Sequence, residues 1–179
     1  LIIITLFLAN TMGLAQSNAK RMLAYSSVSH VGYLALIFFG LNSLSAYNLA
    51  FYLFAYSLAT IGVMMCLIWV EKLKRETSFE AFKGLAHSEP ILAIVAAISM
   101  LSMAGIPLTA GFMGKFGIFA QAIKDTPFLV LVAVLGSAIS IAYYLRLIMV
   151  MFFPKESTFK TSERVSLTYN IVGVFIIFA

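Results

Sequence analysis

The amino-acid sequence predicts an all-α polytopic membrane protein with about six transmembrane helices, one of them discontinuous. Hydrophobic residues make up 62% of the chain, and the mean hydropathy is +1.01. Charged residues make up only 11%, whereas soluble domains carry about 25%. The polar residues gather in short segments between apolar runs, and one run is interrupted by glycine and proline. Together these features predict helices that cross a bilayer and satisfy their own backbone hydrogen bonds.

Each predicted span is an apolar run bounded by polar residues. The second run is about as long as a helix that crosses roughly 30 Å of hydrocarbon. The only long polar stretch, 71–89, carries four basic and four acidic residues. We interpret it as a solvated cytoplasmic loop, either irregular throughout or with a short interfacial helix. The chain begins and ends inside apolar runs, so a fragment truncated at its N-terminus is expected. The predicted spans of this single transmembrane domain are 1–21, 22–41, 47–70, 90–123, 128–153 and 165–179.

The fourth span, 90–123, contains a predicted break in its helix. Gly105, Pro107 and Gly111 lie near its centre. Proline has no amide proton and its ring clashes with the preceding turn, so a continuous helix is disfavoured here. Inside a membrane, non-helical backbone is tolerated where protein or a water-filled cavity receives the freed backbone groups. These residues therefore predict a broken helix, which is typical of ion-pathway sites.

Loop charges favour one broken crossing between 90 and 123 over two full crossings. With one crossing, nine basic residues lie in loops on one side and Lys124 lies alone on the other. With two crossings, the split becomes seven to three. The positive-inside rule favours the first arrangement, with the basic loops in the cytoplasm.

Lys115 follows the break. The apolar runs contain three ionisable residues, which are Lys115, His30 and Arg146. All seven Asp and Glu are predicted to lie in loops. A charge inside a membrane is by default a functional hypothesis, and a buried lysine can exchange its proton near neutral pH. Lys115 is therefore the predicted proton relay. The structural alternative is a lysine that extends to the interface or pairs with a carboxylate outside this sequence.

His30 and Tyr56 are the other candidate relay residues. His30 lies among serines whose hydroxyls can hold water, and imidazole titrates near neutral pH. The alternative is a histidine satisfied by a neighbouring carbonyl or hydroxyl group. Tyr56 is one helical turn from Tyr52, so the pair lines a hydrated path or serves as packing between helices. Arg146 is expected to reach the membrane surface.

The sequence contains no pattern for redox, hydrolytic or metal chemistry. It has no glycine-rich phosphate loop, no Ser-His-Asp set and no haem or iron–sulfur spacing. Cys66 is the single cysteine, and His87 is the only histidine besides His30, so no metal-ligand spacing exists. No catalytic, cofactor-binding or metal-binding residue is predicted, and the net charge of +5 needs no nucleic-acid partner.

Several stretches resemble the antiporter-like membrane subunits of respiratory complex I. The match is carried by NAKRMLAYSSVSHVGY at 18–33, FKGL at 82–85, AGIPLTAGFMGKF at 104–116 and YYLR at 143–146. It covers nearly the whole chain in the right order. Lysine before Phe116 is most similar to the N subunits (subunit 2) of bacterial NADH:quinone oxidoreductases, because the M-type subunits usually carry glutamate there.

The resemblance implies a fold of fourteen helices with two inverted five-helix repeats, of which this chain holds helices nine to fourteen and most of the second repeat. It implies that Lys115 is the terminal protonatable residue of a half-channel and that His30 belongs to a central hydrophilic axis. The family's first half-channel lies outside this sequence, so the chain is not expected to pump protons alone.

The implied function is proton translocation as part of an NADH:quinone oxidoreductase in the bacterial inner membrane. The implied partners are the other membrane subunits of complex I, the lipid bilayer and protons. NAD, FMN, iron–sulfur clusters and quinone are implied in other subunits, and no cofactor is implied in this chain.

Two other function classes remain open at this stage. Subunits of related sodium/proton antiporters or membrane-bound hydrogenase complexes share the broken helix and part of the motif. The wording SHVGY at 29–33 and the Lys-Phe pair at 115–116 favour complex I. A scaffold whose lysine only packs is the third alternative. The rest of the protein's sequence or its genomic neighbours would distinguish the first two.

Overall fold

The computed structural model of this chain describes residues 1–153 and 172–173. Within that part, every regular element is helical apart from one isolated bridge between Asn18 and Ser78, which confirms the all-α prediction. Of the predicted span 165–179, only 172–173 are described, and the predicted loop 154–164 lies outside the described residues. The helices are α1 (Ile2–Leu14), α2 (Ala19–Ala35), α3 (Ser45–Lys74), α4 (Leu85–Ser88), α5 (Pro90–Ala104), α6 (Ala110–Ala122) and α7 (Pro127–Phe152), with 3₁₀ turns at Leu36–Phe38 and Phe79–Phe82.

Two of the described helices are long and apolar enough to cross a membrane. They are α3, with 30 residues, and α7, with 26 residues. The apolar helices α1 and α5 are shorter, with 13 and 15 residues. Large apolar side chains point outward from α3 and α7, among them Ile61, Ile68, Leu131 and Leu135. Such a surface suits a lipid environment or neighbouring membrane helices better than water.

The helices pack around two apolar cores. Helix α1 packs against α2 and α7, and α3 packs against α5 and α6. One core includes Met22, Val70 and Met100, and the other includes Leu6 and Ile118. Close approach is made possible by glycine, since a Cβ at Gly32 would lie 2.8 Å from Leu6 Cδ2. Small residues at helix contacts are the usual basis of tight packing in membranes.

Helix α2 differs from its predicted span at both ends. It begins at Ala19, three residues before the predicted start, because the Asn18 side chain accepts a hydrogen bond from Arg21 N at 3.2 Å. It ends at Ala35 rather than continuing to 41, and the 3₁₀ turn that follows leads to Gly40 at φ +69°. A left-handed residue of this kind ends regular helix.

The segment 71–89, predicted as a solvated loop with or without a short interfacial helix, contains the end of α3, a 3₁₀ turn and the short helix α4. Helix α3 continues to Lys74 and is closed by Arg75 in a left-handed conformation, which places Glu71 on a helix rather than in a loop. Beyond it, Phe79, Phe82 and Leu85 are fully or almost fully buried. These apolar side chains lie between the charged ones and cover the ends of the neighbouring helices, so the segment folds onto the bundle.

Asn18 ties this segment to the start of α2. Its Nδ2 donates to Thr77 Oγ1 at 3.0 Å while its Oδ1 caps α2. Backbone bonds run in both directions beside it, from Ala19 N to Thr77 O at 2.8 Å and from Phe79 N to Ser17 O at 2.9 Å.

Asn18→Ala is therefore expected to destabilise the protein by about 1–2 kcal/mol, because it removes a helix cap and a partly buried side-chain bond together. The measurement is the thermal unfolding midpoint of the complete protein in detergent. The matched control is Asn42→Ala, since Asn42 Oδ1 only accepts from Leu44 N in an exposed turn. Equal shifts for the two variants would contradict the role assigned to Asn18.

Candidate functional site

The break between α5 and α6 consists of residues 105–109. Helix α5 ends at Ala104, and its C-cap Gly105 has φ +80°. Helix α6 begins at Ala110, capped by the Thr109 side chain, which accepts from Phe112 N at 3.3 Å. Of the three residues predicted for the interruption, Gly105 and Pro107 lie within it, whereas Gly111 is already the second residue of α6.

Gly111 allows close packing of α5 and α6, whereas its position in the sequence suggested that it belonged to the break. Its amide donates to Ser102 Oγ at 3.0 Å, so the first turn of α6 crosses the last turn of α5. A Cβ at Gly111 would overlap the carbonyl oxygen of Ser102. The glycine is therefore required for the close approach of two backbones rather than for a turn.

Lys115 is buried, with 3% of its surface exposed, and its side chain reaches back to the break. Its Nζ donates to Ala104 O at 3.1 Å and to Ser137 Oγ on α7 at 3.0 Å. Ser137 Oγ also donates to Ala104 O at 3.1 Å. The last carbonyl groups of a helix have no partner within it, so ending α5 at the break frees an acceptor for the ammonium group.

The ring of Tyr33 lies on a further side of the Lys115 ammonium, with 4.7 Å between Nζ and the ring centroid. An ammonium group has three N–H donors, and here it meets two oxygen acceptors and one aromatic face. Lys115 forms no ion pair with an acidic side chain in the described part of the chain. Two neutral oxygen acceptors and one aromatic face therefore surround the ammonium group, and all three can stabilise a cation.

His30 also contacts Tyr33, with the two rings at right angles, and is buried, with 3% exposed. Its Nδ1 is 2.6 Å from Tyr52 OH, and its ring centroid is 4.5 Å from that of Tyr56 and 5.8 Å from that of Tyr33. Tyr56 is half-buried and donates to Ser27 Oγ at 3.1 Å. Tyr33 thus contacts both Lys115 and His30, and His30 contacts Tyr56. The three residues selected from the sequence form one cluster.

Sequence reasoning missed several polar residues of this cluster. Asn10 on α1 is fully buried and donates to Leu6 O at 2.7 Å and to Tyr33 OH at 3.4 Å. Tyr143 OH donates to Asn10 Oδ1 at 3.4 Å, and the Ser26 and Tyr144 hydroxyls share a short hydrogen bond. The available signal was an amide side chain inside an apolar run, because such a side chain needs a buried partner.

The remaining charged and metal-type candidates do not join the site. Arg146 is exposed, donates to Gln16 O at 3.3 Å and lies 4.9 Å from the Phe79 ring. Among the described residues, no group of three or more His, Cys, Asp or Glu side chains could hold a metal ion. The cluster contains hydroxyl, amide, imidazole and amine groups, and its lysine, histidine and tyrosines are residue types that can transfer protons.

A family model and several known proteins match this chain. A family model described as "NADH:quinone oxidoreductase/Mrp antiporter, TM" matches residues 1–140. The NADH-quinone oxidoreductase subunit N of Cytophaga hutchinsonii is 38% identical over 172 residues, which cover 96% of this chain and 38% of that protein. The protein of the same name from Flavobacterium psychrophilum is 38% identical over 173 residues, covering 96% of this chain and 37% of that protein.

Solved structures share the fold along almost the whole chain. A chain of respiratory complex I from Thermus thermophilus with bound Aureothin has a TM-score of 0.81 at 34% identity, covering 98% of this chain and 40% of that chain. A chain of the membrane-bound sulfane sulfur reductase, an archaeal respiratory membrane complex, has a TM-score of 0.86 at 25% identity, covering 99% of this chain and 37% of that chain. The present chain thus spans about two fifths of the length of the proteins it matches.

Proposed function

This chain belongs to the NADH:quinone oxidoreductase/Mrp antiporter transmembrane family, and we propose that it is part of a proton-translocating membrane subunit of an NADH:quinone oxidoreductase. In this proposal Lys115 takes up and releases protons at the break between α5 and α6. His30 and Tyr56 exchange protons with it inside the bundle. The chain takes part in an enzyme complex as a multi-pass membrane subunit and performs no redox step with its own residues.

The environment of Lys115 is the observation that carries the proposal. Its ammonium group is buried and touches Ala104 O and Ser137 Oγ, without a carboxylate among the described residues. A carboxylate partner would fix the charge, whereas neutral acceptors leave both protonation states accessible. Lysine is the basic residue that can lose its proton in such a place, and arginine is not. An ionisable residue inside the membrane is by default a candidate for an ion or proton pathway.

The arrangement of the loops supports a cytoplasmic position for the basic end of the bundle. Hydrogen bonds from Ala19 N to Thr77 O and from Gly84 N to Val150 O connect the helix ends at one end of the bundle. The segments at this end carry most of the loop lysines and arginines. At the other end, Gln121 Nε2 donates to Ile37 O at 3.0 Å. Under the positive-inside rule the first end faces the cytoplasm, and Lys115 then lies between the two surfaces of a bacterial inner membrane.

The partners in this proposal are the other membrane subunits of the complex. The relatives that resemble this chain over nearly its whole length are named as subunit N of NADH-quinone oxidoreductase. NADH oxidation, with its flavin, iron–sulfur and quinone chemistry, then belongs to other subunits. The part carried here converts the energy released elsewhere into proton movement.

A second candidate is a subunit of a related antiporter or respiratory membrane complex. It is favoured by the TM-score of 0.86 with the archaeal sulfane sulfur reductase chain, although the identity there is 25% against 34% for a complex I chain. The two candidates differ in what drives proton movement, which is NADH oxidation in the first and a sodium gradient or another electron donor in the second. Proton uptake driven by NADH in sodium-free vesicles supports the first, and a requirement for sodium supports the second.

Ser137 gives a graded test of the proposed relay. Ser137→Ala removes one of the two oxygen acceptors of Lys115 but leaves Ala104 O in place. Because Ala104 O stays in place, we expect the loss to be close to that of one ordinary hydrogen bond, about 1 kcal/mol, and proton pumping per assembled complex to fall by about fivefold. The measurement is NADH-driven proton uptake in inverted membrane vesicles that contain the complete protein.

Two comparisons make this test specific. Ser57→Ala is the control, since Ser57 lies exposed on α3, and it should pump at the wild-type rate. Lys115→Met should be more impaired than Ser137→Ala. If Ser137→Ala and Lys115→Met both pump normally, the proposal that protons pass through Lys115 is wrong.

A further inference from the structure

The ring of Tyr33 is the contact of Lys115 that the relay described above does not use. Its centroid is 4.7 Å from Lys115 Nζ, well inside the distance of about 6 Å at which a cation is attracted to an aromatic face. Tyr33 is itself buried, with 1% exposed. In a site without a carboxylate among the described residues, this face is the main partner of the ammonium group besides two oxygens.

The position of this ring is fixed from α1 and α7. Asn10 Nδ2 donates to Tyr33 OH at 3.4 Å, and Asn10 is held in turn by its bond to Leu6 O at 2.7 Å and by Tyr143 OH at 3.4 Å. Gly136 on α7 leaves the necessary room, since a Cβ there would lie 2.9 Å from Asn10 Nδ2 and 3.4 Å from Tyr33 OH. Three helices thus hold one phenol ring in place.

We infer that Tyr33 is a positioning residue that holds the protonated form of Lys115 against the break through its aromatic face, and that Asn10 fixes the orientation of that face. This inference rests on the proposed relay function of Lys115. The ring stabilises the cation without accepting its proton. The ammonium group is therefore kept next to Ala104 O and Ser137 Oγ, while the neutral amine is held less firmly.

The geometry assigns the effect to the ring and not to the phenol hydroxyl. Lys115 Nζ lies over the face of the ring, whereas Tyr33 OH accepts from Asn10 on α1 and also interacts with the Ser137 and Ser140 hydroxyl groups of α7. A hydroxyl relay would run from Lys115 through Ser137 to Tyr33 OH. The two possibilities predict different results for Tyr33→Phe, which keeps the face and loses the hydroxyl group.

The experiment replaces Tyr33 with phenylalanine and then with phenylalanines that carry an increasing number of ring fluorines, introduced by nonsense suppression into the complete protein. Fluorines withdraw electron density from the face while the ring nearly keeps its size, so the attraction for a cation falls stepwise. We expect Tyr33→Phe to retain most NADH-driven proton pumping per assembled complex. Pumping should then fall with each added fluorine, by about fivefold or more over the series.

Phe82 provides the matched control, because it is equally buried but belongs to the other apolar core. The same fluorinated series at Phe82 should leave pumping unchanged. A flat series at Tyr33, or a Tyr33→Phe variant as impaired as the most fluorinated one, would overturn the inference. Lys115→Met in the same vesicles separates the two proposals: if it pumps normally, the relay function itself fails, whereas an inactive Lys115→Met with a flat Tyr33 series refutes the positioning role alone.

Discussion

Replacing Lys115 by methionine is expected to lower proton pumping by the assembled complex about tenfold or more, with little effect on assembly. Methionine nearly keeps the length and volume of the lysine side chain and removes the group that carries the proton. The apolar replacement suits a buried site, since Lys115 is almost fully enclosed, and burying methionine has no charge-desolvation cost. A positioned proton donor or acceptor contributes about 10²–10⁴ in rate, so a tenfold loss is a conservative expectation.

Lys115→Arg separates the proton carrier from the charge. Arginine keeps the cation and its hydrogen bonds but does not lose its proton in proteins. A relay therefore fails with arginine as it fails with methionine, whereas a structural cation is rescued by arginine. The guanidinium group also has to fit beside Ser137 and the Tyr33 ring, so the amount of assembled complex must be measured for each variant.

Lys124→Met is the matched control for these substitutions. Lys124 is exposed in the turn between α6 and α7, and its replacement changes the net charge by the same amount. It should leave NADH-driven pumping unchanged. Normal pumping by Lys115→Met, or pumping restored by Lys115→Arg, would show that the lysine packs and does not relay.

The helix break was predictable because it depends on backbone chemistry that is local in sequence. A proline without an amide proton and a glycine suited to φ +80° together disfavour a continuous helix. The extent of the break was not predictable. Gly111 occupies an ordinary helical position whose need for glycine comes from the backbone of Ser102, which lies nine residues earlier in the sequence.

The same distinction holds for the site residues. Lys115 and His30 were selected because ionisable side chains are rare in apolar runs. Tyr56 was selected because it lies one helical turn from Tyr52, so all three selections depend on the sequence alone. Tyr33 and Ser137 are common residue types in membrane helices, and their importance arises only from the packing of α2, α6 and α7 around the break. Distances of 4.7 Å to a ring centroid and 3.0 Å to a hydroxyl group have no signature in the spacing of residues.

The packing of 71–89 onto the bundle was not predictable from its charges for a related reason. Equal numbers of acidic and basic residues indicate a solvated segment, and Lys20 and Glu71 do form an exposed ion pair at 2.8 Å. The segment folds because Phe79, Phe82 and Leu85 are buried between these charges. Three apolar side chains spaced three residues apart are too few to stand out as a periodic pattern in a charged stretch. Their burial nevertheless contributes about 2 kcal/mol each.

Gly111→Ala is expected to reduce assembly of the subunit severely, by about 3 kcal/mol or more in stability. A Cβ at this position overlaps the backbone carbonyl of Ser102, which no side-chain rotation can relieve. Overpacking of a well-filled interior costs about 1–3 kcal/mol and sometimes more, and the start of α6 has to move away from α5. The gain of about 1 kcal/mol in helix propensity from glycine to alanine is too small to compensate.

Gly117→Ala on the same helix is the control that isolates this contact. A Cβ at Gly117 would lie 2.9 Å from Asn48 Oδ1, which is the end of a side chain that can rotate. The same chemical change should therefore leave the complex assembled, with a stability change within about 1 kcal/mol. The measurement is the amount of subunit in the purified complex and the midpoint of its thermal inactivation. Equal assembly of the two variants would mean that α5 and α6 do not cross as closely as the Gly111–Ser102 contact requires, and that Lys115 is not held against a rigid break.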